Sequence, residues 1–410
     1  MTTGTRVGQA ASSSAHPPRP AAPAPAAAAA APRADSAPRP QIKVEDRLWA
    51  LDDFLRACIK LNGSDVHLQA GSVPMIRVNG SPKYLDLPEM SDEQIGECVK
   101  IAVRGVQDKI TALETRGSTD LAYAMPDKSA RFRVNIFHSR ERYAMVMRRI
   151  VTQIPRFSDL NLPPQVEKLA EIHRGMVVVS GTTGSGKSTS LASIIGTINR
   201  NRAERIITVE DPVEYQHENA KSLISQVEVG QDSESYEYAL RAMMRQDPDI
   251  LLIGEIRDSF SLTTALRAAD TGHLVFTTVH ATNAPMTVER MVSLFHPDQK
   301  ELQQTQLGLN LVAVLCQRLA KRRDGTGRIP VVEIMMATPL VRKYILEGEF
   351  EKLKTCVGNR ESGSQSFDQH LTELFMKQII DVGEAKRLAT NVDALNLALR
   401  GISNSDTKLR

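Results

Sequence analysis

The sequence predicts an α/β protein: a P-loop domain on a parallel sheet, preceded by a smaller α+β domain and followed by a helical tail. Three observations predict it. Residues 181–189 read GTTGSGKST, a complete match to the phosphate-loop pattern G-x-x-x-x-G-K-[ST], set between an apolar run and a stretch with helical spacing. Around and beyond it, four apolar runs alternate with helical stretches, as βαβ units do when a parallel sheet is covered on both faces. Upstream, short strand patterns separated by Gly and Pro crowd into residues 64–150, as in a mixed α+β domain.

In chain order, residues 1–40 hold 14 Ala and 8 Pro with no aromatic, Leu or Ile. Such a segment cannot bury enough apolar surface to offset its ordering entropy, so 1–41 is expected to be a disordered tail. Its prolines interrupt every candidate apolar core, which excludes a secretory signal. Residues 45–61 have helical periodicity and open the folded part, a domain over 42–150. SDVHLQ (64–69), PMIRVNG (74–80) and KYLDL (83–87) are expected strands, 91–113 two helices broken near Gly105, and STDLAYAM, ARFRVNIFHS and YAMVMRRI further strands. Residues 151–164 carry three prolines and no clear period, which suits an inter-domain linker. Over 165–400 the strand-like runs are MVVVS (176–180), RIITV (205–209), DILLIG (249–254) and HLVFTTV (273–279). From about 300 the chain is expected to be mostly helical, with amphipathic pieces at 367–380 and 383–389, and 401–410 to be a flexible end.

A net charge of +3 and an aromatic content of 4% give little capacity to track phosphates or stack bases, so nucleic acid is an unsuitable partner. No window approaches the ~18 apolar residues of a membrane span. Cys58, Cys98, Cys316 and Cys356 are far apart and form no C-x-x-C, which suits reduced thiols of the cytosol and neither zinc nor a disulfide framework.

The chemistry starts at the loop. Gly181, Gly184 and Gly186 let the backbone bend so that successive N–H groups of Gly181, Thr182, Thr183, Gly184, Ser185, Gly186, Lys187, Ser188 and Thr189 face one anion. Lys187 suits β- and γ-phosphate charge, the Ser188 hydroxyl suits Mg²⁺, and the phosphates of ATP would sit on a helix N-terminus. PDILLIGEIRD (248–258) is an apolar strand ending at Glu255, positioned to hold a Mg²⁺ water near Ser188. ITVEDPVEY (207–215) places Glu210, Asp211 and Glu214 at the same end of the sheet. Glu210 is the candidate to orient or deprotonate the attacking water, although three acids after a strand also suit a solvated loop. His273 and His280 bracket the last strand; His280, at its carboxyl end, is the candidate γ-phosphate sensor, and His273, at its amino end, suits a structural or interfacial role. In ARFRVNIF, Arg131 and Arg133 share one strand face opposite Phe132, Val134 and Ile136, with Arg140, Arg142, Arg148 and Arg149 nearby. Arginine suits phosphoryl-transfer charge, in cis or from a neighbouring subunit; a solvated basic face is the alternative.

Seven motifs in one order, SDVHLQAGSVPMIRVNG, RFRVNIF, GTTGSGKST, ITVEDPVEY, RQDPDILLIGEIRD, GHLVFTTVHATNA and CQRLAKR, resemble the secretion-ATPase superfamily, and specifically type IV pilus retraction ATPases of the PilT/PilU type, over residues 45–400. The resemblance implies a PAS-like N-terminal domain, a RecA-like ATPase domain and a homohexameric ring, with nucleotide between one subunit's P-loop and the next subunit's Arg131 and Arg133. It assigns Glu210 and Glu214 to an Asp box, Glu255 to Walker B, and His273 and His280 to a His box. Extension and secretion members carry a further N-terminal domain and a four-cysteine zinc insertion that this sequence does not match, which points to retraction. The C-terminal AIRNLIRE-like motif is matched only loosely by LVRKYILEGEFEKL (340–353).

The expected function is therefore a Mg²⁺-dependent ATPase whose interdomain rotation, hinged at 151–164, turns an inner-membrane platform protein to withdraw pilin subunits. It would act in the cytoplasm at the inner-membrane face and touch the membrane only through partners, a paralogous ATPase among them. The alternatives are a non-hydrolysing or accessory paralogue and a pilus-assembly or secretion ATPase.

Overall fold

The computed structural model describes residues 41–42, 49–78, 80–150 and 154–399. Of the tail expected over 1–41, residues 1–40 lie outside them, as do the first three linker residues and the expected C-terminal end at 401–410, whereas Gln41 pairs with Tyr84 in a strand. Two seven-stranded sheets organise the described chain.

The first sheet is built from β1 (Gln41–Ile42), β2 (Asp65–Gln69), β3 (Met75–Val78), β4 (Ser81–Leu85), β5 (Ser118–Ala124), β6 (Arg131–Ser139) and β7 (Arg142–Ile150), in the order β1-β4-β3-β2-β7-β6-β5. All its pairings are antiparallel except β1 with β4. Helices α1 (Leu51–Lys60), α2 (Asp92–Ala102) and α3 (Gln107–Arg116) supply the rest of its core. Period-2 patterning decides which face of β6 is covered: Phe132, Val134 and Ile136 are fully buried in that core, while Arg133 on the other face is exposed. The helix break near Gly105 is present, and α3 ends at Gly117, whose φ of 75° closes the helix in the left-handed region. The stretch expected as linker holds one short helix, α4 (Phe157–Leu160), and its last residue opens a second, α5 (Pro164–Glu167).

The second sheet uses β8 (Gly175–Ser180), β9 (Arg205–Glu210), β10 (Leu223–Glu228), β11 (Ile250–Ile253), β12 (Leu274–Val279), β13 (Leu311–Lys321) and β14 (Arg328–Met336), in the order β10-β9-β11-β12-β8-β13-β14. The crossing helices are α6 (Lys187–Asn201), α7 (Tyr236–Met243), α8 (Ser259–Asp270), α9 (Ala284–Ser293) and α10 (Pro297–Asn310). Every residue of β8, β11 and β12 is buried, because helices cover both faces of the sheet. Successive side chains feed opposite cores: Met176 and Val178 pack with Val275 and Leu266, and Val177 and Val179 with Phe276 and Ile194.

The four runs read as strands are strands, and six strands of this sheet are parallel. One expectation needs correction. The chain after 300 is not mostly helical at first, since α10 gives way to β13 and to β14, which pairs antiparallel with β13 at the sheet edge. LVAVLCQRLAK satisfies helical spacing as well as strand propensity, and burial on both faces between β8 and β14 selects the strand. The helical tail follows, as α11 (Pro339–Glu347), α12 (Leu353–Gly358), α13 (Phe367–Met376), α14 (Val382–Leu388) and α15 (Val392–Leu399).

Candidate active site

The carboxyl ends of β8, β9, β11 and β12 lie side by side, and the predicted residues gather there. The loop leaving β8 bends through Gly181, Gly184 and Gly186 at φ values of 147°, 76° and 90°. At Gly181 no side chain fits, since a Cβ would lie 2.5 Å from the Gln317 carbonyl oxygen and 2.5 Å from Ser185 Oγ. Lys187 opens α6 and folds back over the loop, its Nζ donating to the carbonyls of Gly181 at 3.0 Å and Thr182 at 3.1 Å. Burial lowers the pKa of this amine, and the charges of Glu214 and Glu255 offset part of that. A buried ammonium resting on two weak backbone acceptors, at the mouth of a glycine loop, fits a polyphosphate that would exchange places with them. Thr189 Oγ1 lies 2.7 Å from the Tyr215 hydroxyl, tying the start of α6 to the loop after β9.

Glu210 is the last residue of β9 and is half-buried. Burial raises its carboxyl to about 7, against the opposing pull of hydrogen bonds donated by Thr208 Oγ1 at 2.7 Å and Gln226 Nε2 at 3.3 Å. Asp211 and Glu214 are exposed in the loop that follows.

Two residues past β11, Glu255 is pinned through its backbone: Tyr236 Oη donates to its carbonyl at 2.8 Å and accepts from its N–H at 3.1 Å. Its carboxylate accepts from Arg257 Nε in a close ion pair and faces His280 Nε2 at 3.4 Å. Burial pushes the Glu255 pKa up, but Arg257 and His280 outweigh it and hold the carboxyl below its ordinary value. Arg257 also reaches Asp211 at 3.2 Å, so His280, Glu255, Arg257 and Asp211 run as one polar chain across the ends of β12, β11 and β9.

Among the described residues no cluster of three or more His, Cys, Asp or Glu side chains forms a metal site. A hydroxyl at Ser188 and a carboxylate at Glu255 are the hard oxygen donors that suit a cation completed by phosphate oxygens and water, which needs no all-protein cage.

The remaining predicted residues lie elsewhere. His273, at the amino end of β12, sits 3.0 Å from Thr271 Oγ1 and 2.9 Å from the Ala268 carbonyl through Nδ1, a role in helix termination. Arg131 donates to Gln231 Oε1 at 3.0 Å, just after β10 of its own chain, and lies 3.7 Å from the buried carboxylate of Glu228, the last residue of that strand. Arg133 faces Asp120 at 3.7 Å, Arg142 makes a two-pronged pair with Asp92, and Arg148 donates to Asp65 at 2.8 Å. The four cysteines are buried and free. Sequence reasoning missed Tyr236, Arg257, Thr208 and Gln317 as parts of the site. Arg257 and Gln317 stand inside quoted motifs, GEIRD and CQRLAKR, whereas Tyr236 carries no sequence signal.

The Type II/IV secretion system protein family matches residues 49–374. A twitching motility protein of Neisseria gonorrhoeae is 40% identical over 324 residues, covering 79% of this chain and 86% of the relative. The type IV pilus ATPase PilU of Pseudomonas aeruginosa is 37% identical over 357 residues, covering 87% and 92% respectively. Among solved structures, the pilus retraction motor PilT with bound ADP superposes with a TM-score of 0.77 at 34% identity, covering 84% of this chain and 98% of that one.

Proposed function

The chain belongs to the Type II/IV secretion system protein family, and from that membership we propose that it is a hexameric ATP-hydrolysing motor of type IV pilus retraction. The observation that carries the reading is a complete phosphate loop beside the Glu255–His280 pair, on adjacent parallel strands of one sheet. Lys187 leaves its two carbonyl partners for the β- and γ-phosphate oxygens. Ser188 and Glu255 would hold Mg²⁺, which when bound would neutralise charge on the phosphates. Glu210 takes the proton of a water whose oxygen attacks the γ-phosphorus; the bond to the bridging oxygen breaks, and ADP and phosphate leave. His280 orients Glu255 and reads whether the γ-phosphate is present. In the ring, Arg131 and Arg133 of one subunit face the nucleotide of the next.

Nucleotide can move the two sheet domains only if it binds one arrangement more tightly than another. Rotation about residues 151–164 supplies the two arrangements, and a platform protein in the inner membrane takes up the motion from the cytoplasmic side. No helix of the described residues is long and apolar enough to cross a membrane; in this proposal contact with the bilayer runs through partners.

Steady-state ATPase activity with mass by light scattering tests the reading, beside Lys187→Ala and Glu210→Ala. A hexamer whose turnover is lost in both variants supports it, together with loss of twitching in piliated cells that lack the protein. The extent of the PilU match favours one second reading, an accessory paralogue acting with another ATPase. A stable hexamer with no turnover of its own would select that alternative.

A further inference from the structure

Gln317 is a buried amide beneath the phosphate loop, and the strand register explains how it gets there. β13 runs parallel to β8, with Cys316 opposite Ser180, the last residue of β8. β13 continues where β8 stops, so Gln317 comes up beside Gly181, the first residue of the loop. Gln317 is 2% exposed and uses both ends of its amide. Nε2 donates to the Ser185 carbonyl at 2.8 Å, and Oε1 accepts from Ser190 Oγ at 2.7 Å. Ser190 lies in the first turn of α6, one residue past Thr189 and three past Lys187. One side chain thus ties the crest of the loop to the helix that presents Lys187 and Ser188. Contact is tight on both sides: a Cβ on Gly186 would lie 2.6 Å from Gln317 Nε2.

The peptide joining Ser185 to Gly186 is planar, with its C=O and N–H pointing in opposite directions. Holding the Ser185 carbonyl down on Gln317 therefore turns the Gly186 N–H away from the sheet, to the side where a phosphate oxygen would sit. We propose that Gln317 is a positioning residue for nucleotide phosphates, acting by fixing the Ser185–Gly186 peptide and the first turn of α6 rather than by touching the ligand. This rests on the ATPase reading above.

The test measures ADP affinity by displacement of a fluorescent nucleotide, and adenosine affinity by the same competition in the millimolar range, on the full-length protein. Gln317→Leu removes both amide contacts, and Ser190→Ala removes one with little change of volume. Losing the hold on one peptide is expected to weaken ADP about tenfold in Gln317→Leu and about threefold in Ser190→Ala, with adenosine unchanged, so the ADP-to-adenosine affinity ratio falls. An unchanged ratio overturns the proposal, whether ADP affinity holds or both ligands weaken together, since general destabilisation moves both. If Gln317→Leu does not fold, the ratio in Ser190→Ala decides alone. A wild-type protein that binds no ADP would instead refute the ATPase reading.

Discussion

Thr208→Val offers a direct probe of the proposed base. Thr208 lies in the middle of β9, fully buried, and its hydroxyl donates at 2.7 Å to Glu210 Oε1. Valine has the same shape and suits a strand, so the change deletes one hydrogen bond and leaves packing almost untouched. Burial raises the Glu210 carboxyl to about 7, and the Thr208 donor is the stronger of two side-chain bonds working against that rise. A bond to a charged group contributes about 1.5–3 kcal/mol and a pKa unit corresponds to about 1.4 kcal/mol, so its loss should raise the carboxyl by at least about one unit. A base is active when ionised. At pH 7 the ionised fraction then falls from about one-half to about one-tenth, and turnover drops about fivefold. Raising the pH restores it, so the variant should approach wild-type kcat near pH 9. The assay is kcat against pH from 5.5 to 9.5 at saturating Mg-ATP, with thermal unfolding at each end to exclude loss of structure. A wild-type profile with no limb near 7, or a variant reduced equally at every pH, would refute the assignment of Glu210 as the base.

Three further outcomes are expected. Mixing Lys187→Ala with Arg131→Ala subunits should restore activity at about a quarter of the interfaces, because a trans arginine needs only one intact loop and one intact neighbour; no recovery would mean that Arg131 works within its own chain. His280→Ala, which removes the 3.4 Å contact with Glu255, should lower kcat about tenfold or more with little change in KM, and equal loss in ADP binding would speak against a role confined to turnover. Phe276→Ala, at a ring wholly buried in the core beneath β12, should cost about 3–5 kcal/mol of stability, read as the shift of a denaturant midpoint.

What could be read from the sequence was local. The loop pattern fixes residue types at consecutive positions, and the buried strands β8, β9, β11 and β12 announce themselves as apolar runs because both faces are covered. Glu255 and His280 were legible for the same reason, as the first polar residues beyond such runs. β10 was missed because LISQVE keeps Gln226 and Glu228 inside the strand, where they serve Glu210 and Arg131 and break the apolar signal. Gln317 was quoted in a motif without a role, since its partner Ser185 is 132 residues away and only the register of β13 against β8 brings them together. Tyr236 grips Glu255 through backbone atoms alone, a contact that leaves no trace in residue types.

The place of β13 beside β8 also bears on how the protein is made. The phosphate loop leaves the ribosome early, yet the strand that flanks β8 on its far side, and the amide that braces the loop, come from a segment whose Cys316 follows Ser180 by 136 residues. At about 5–20 residues per second, β8 waits on the order of ten seconds for β13, and nearly as long for β12 on its other edge. During that interval a nascent chain has all nine loop residues but not the support that shapes them. The loop gains the Gln317 contact only after β13 has emerged, and until then the edge of β8 that β13 covers is unpaired.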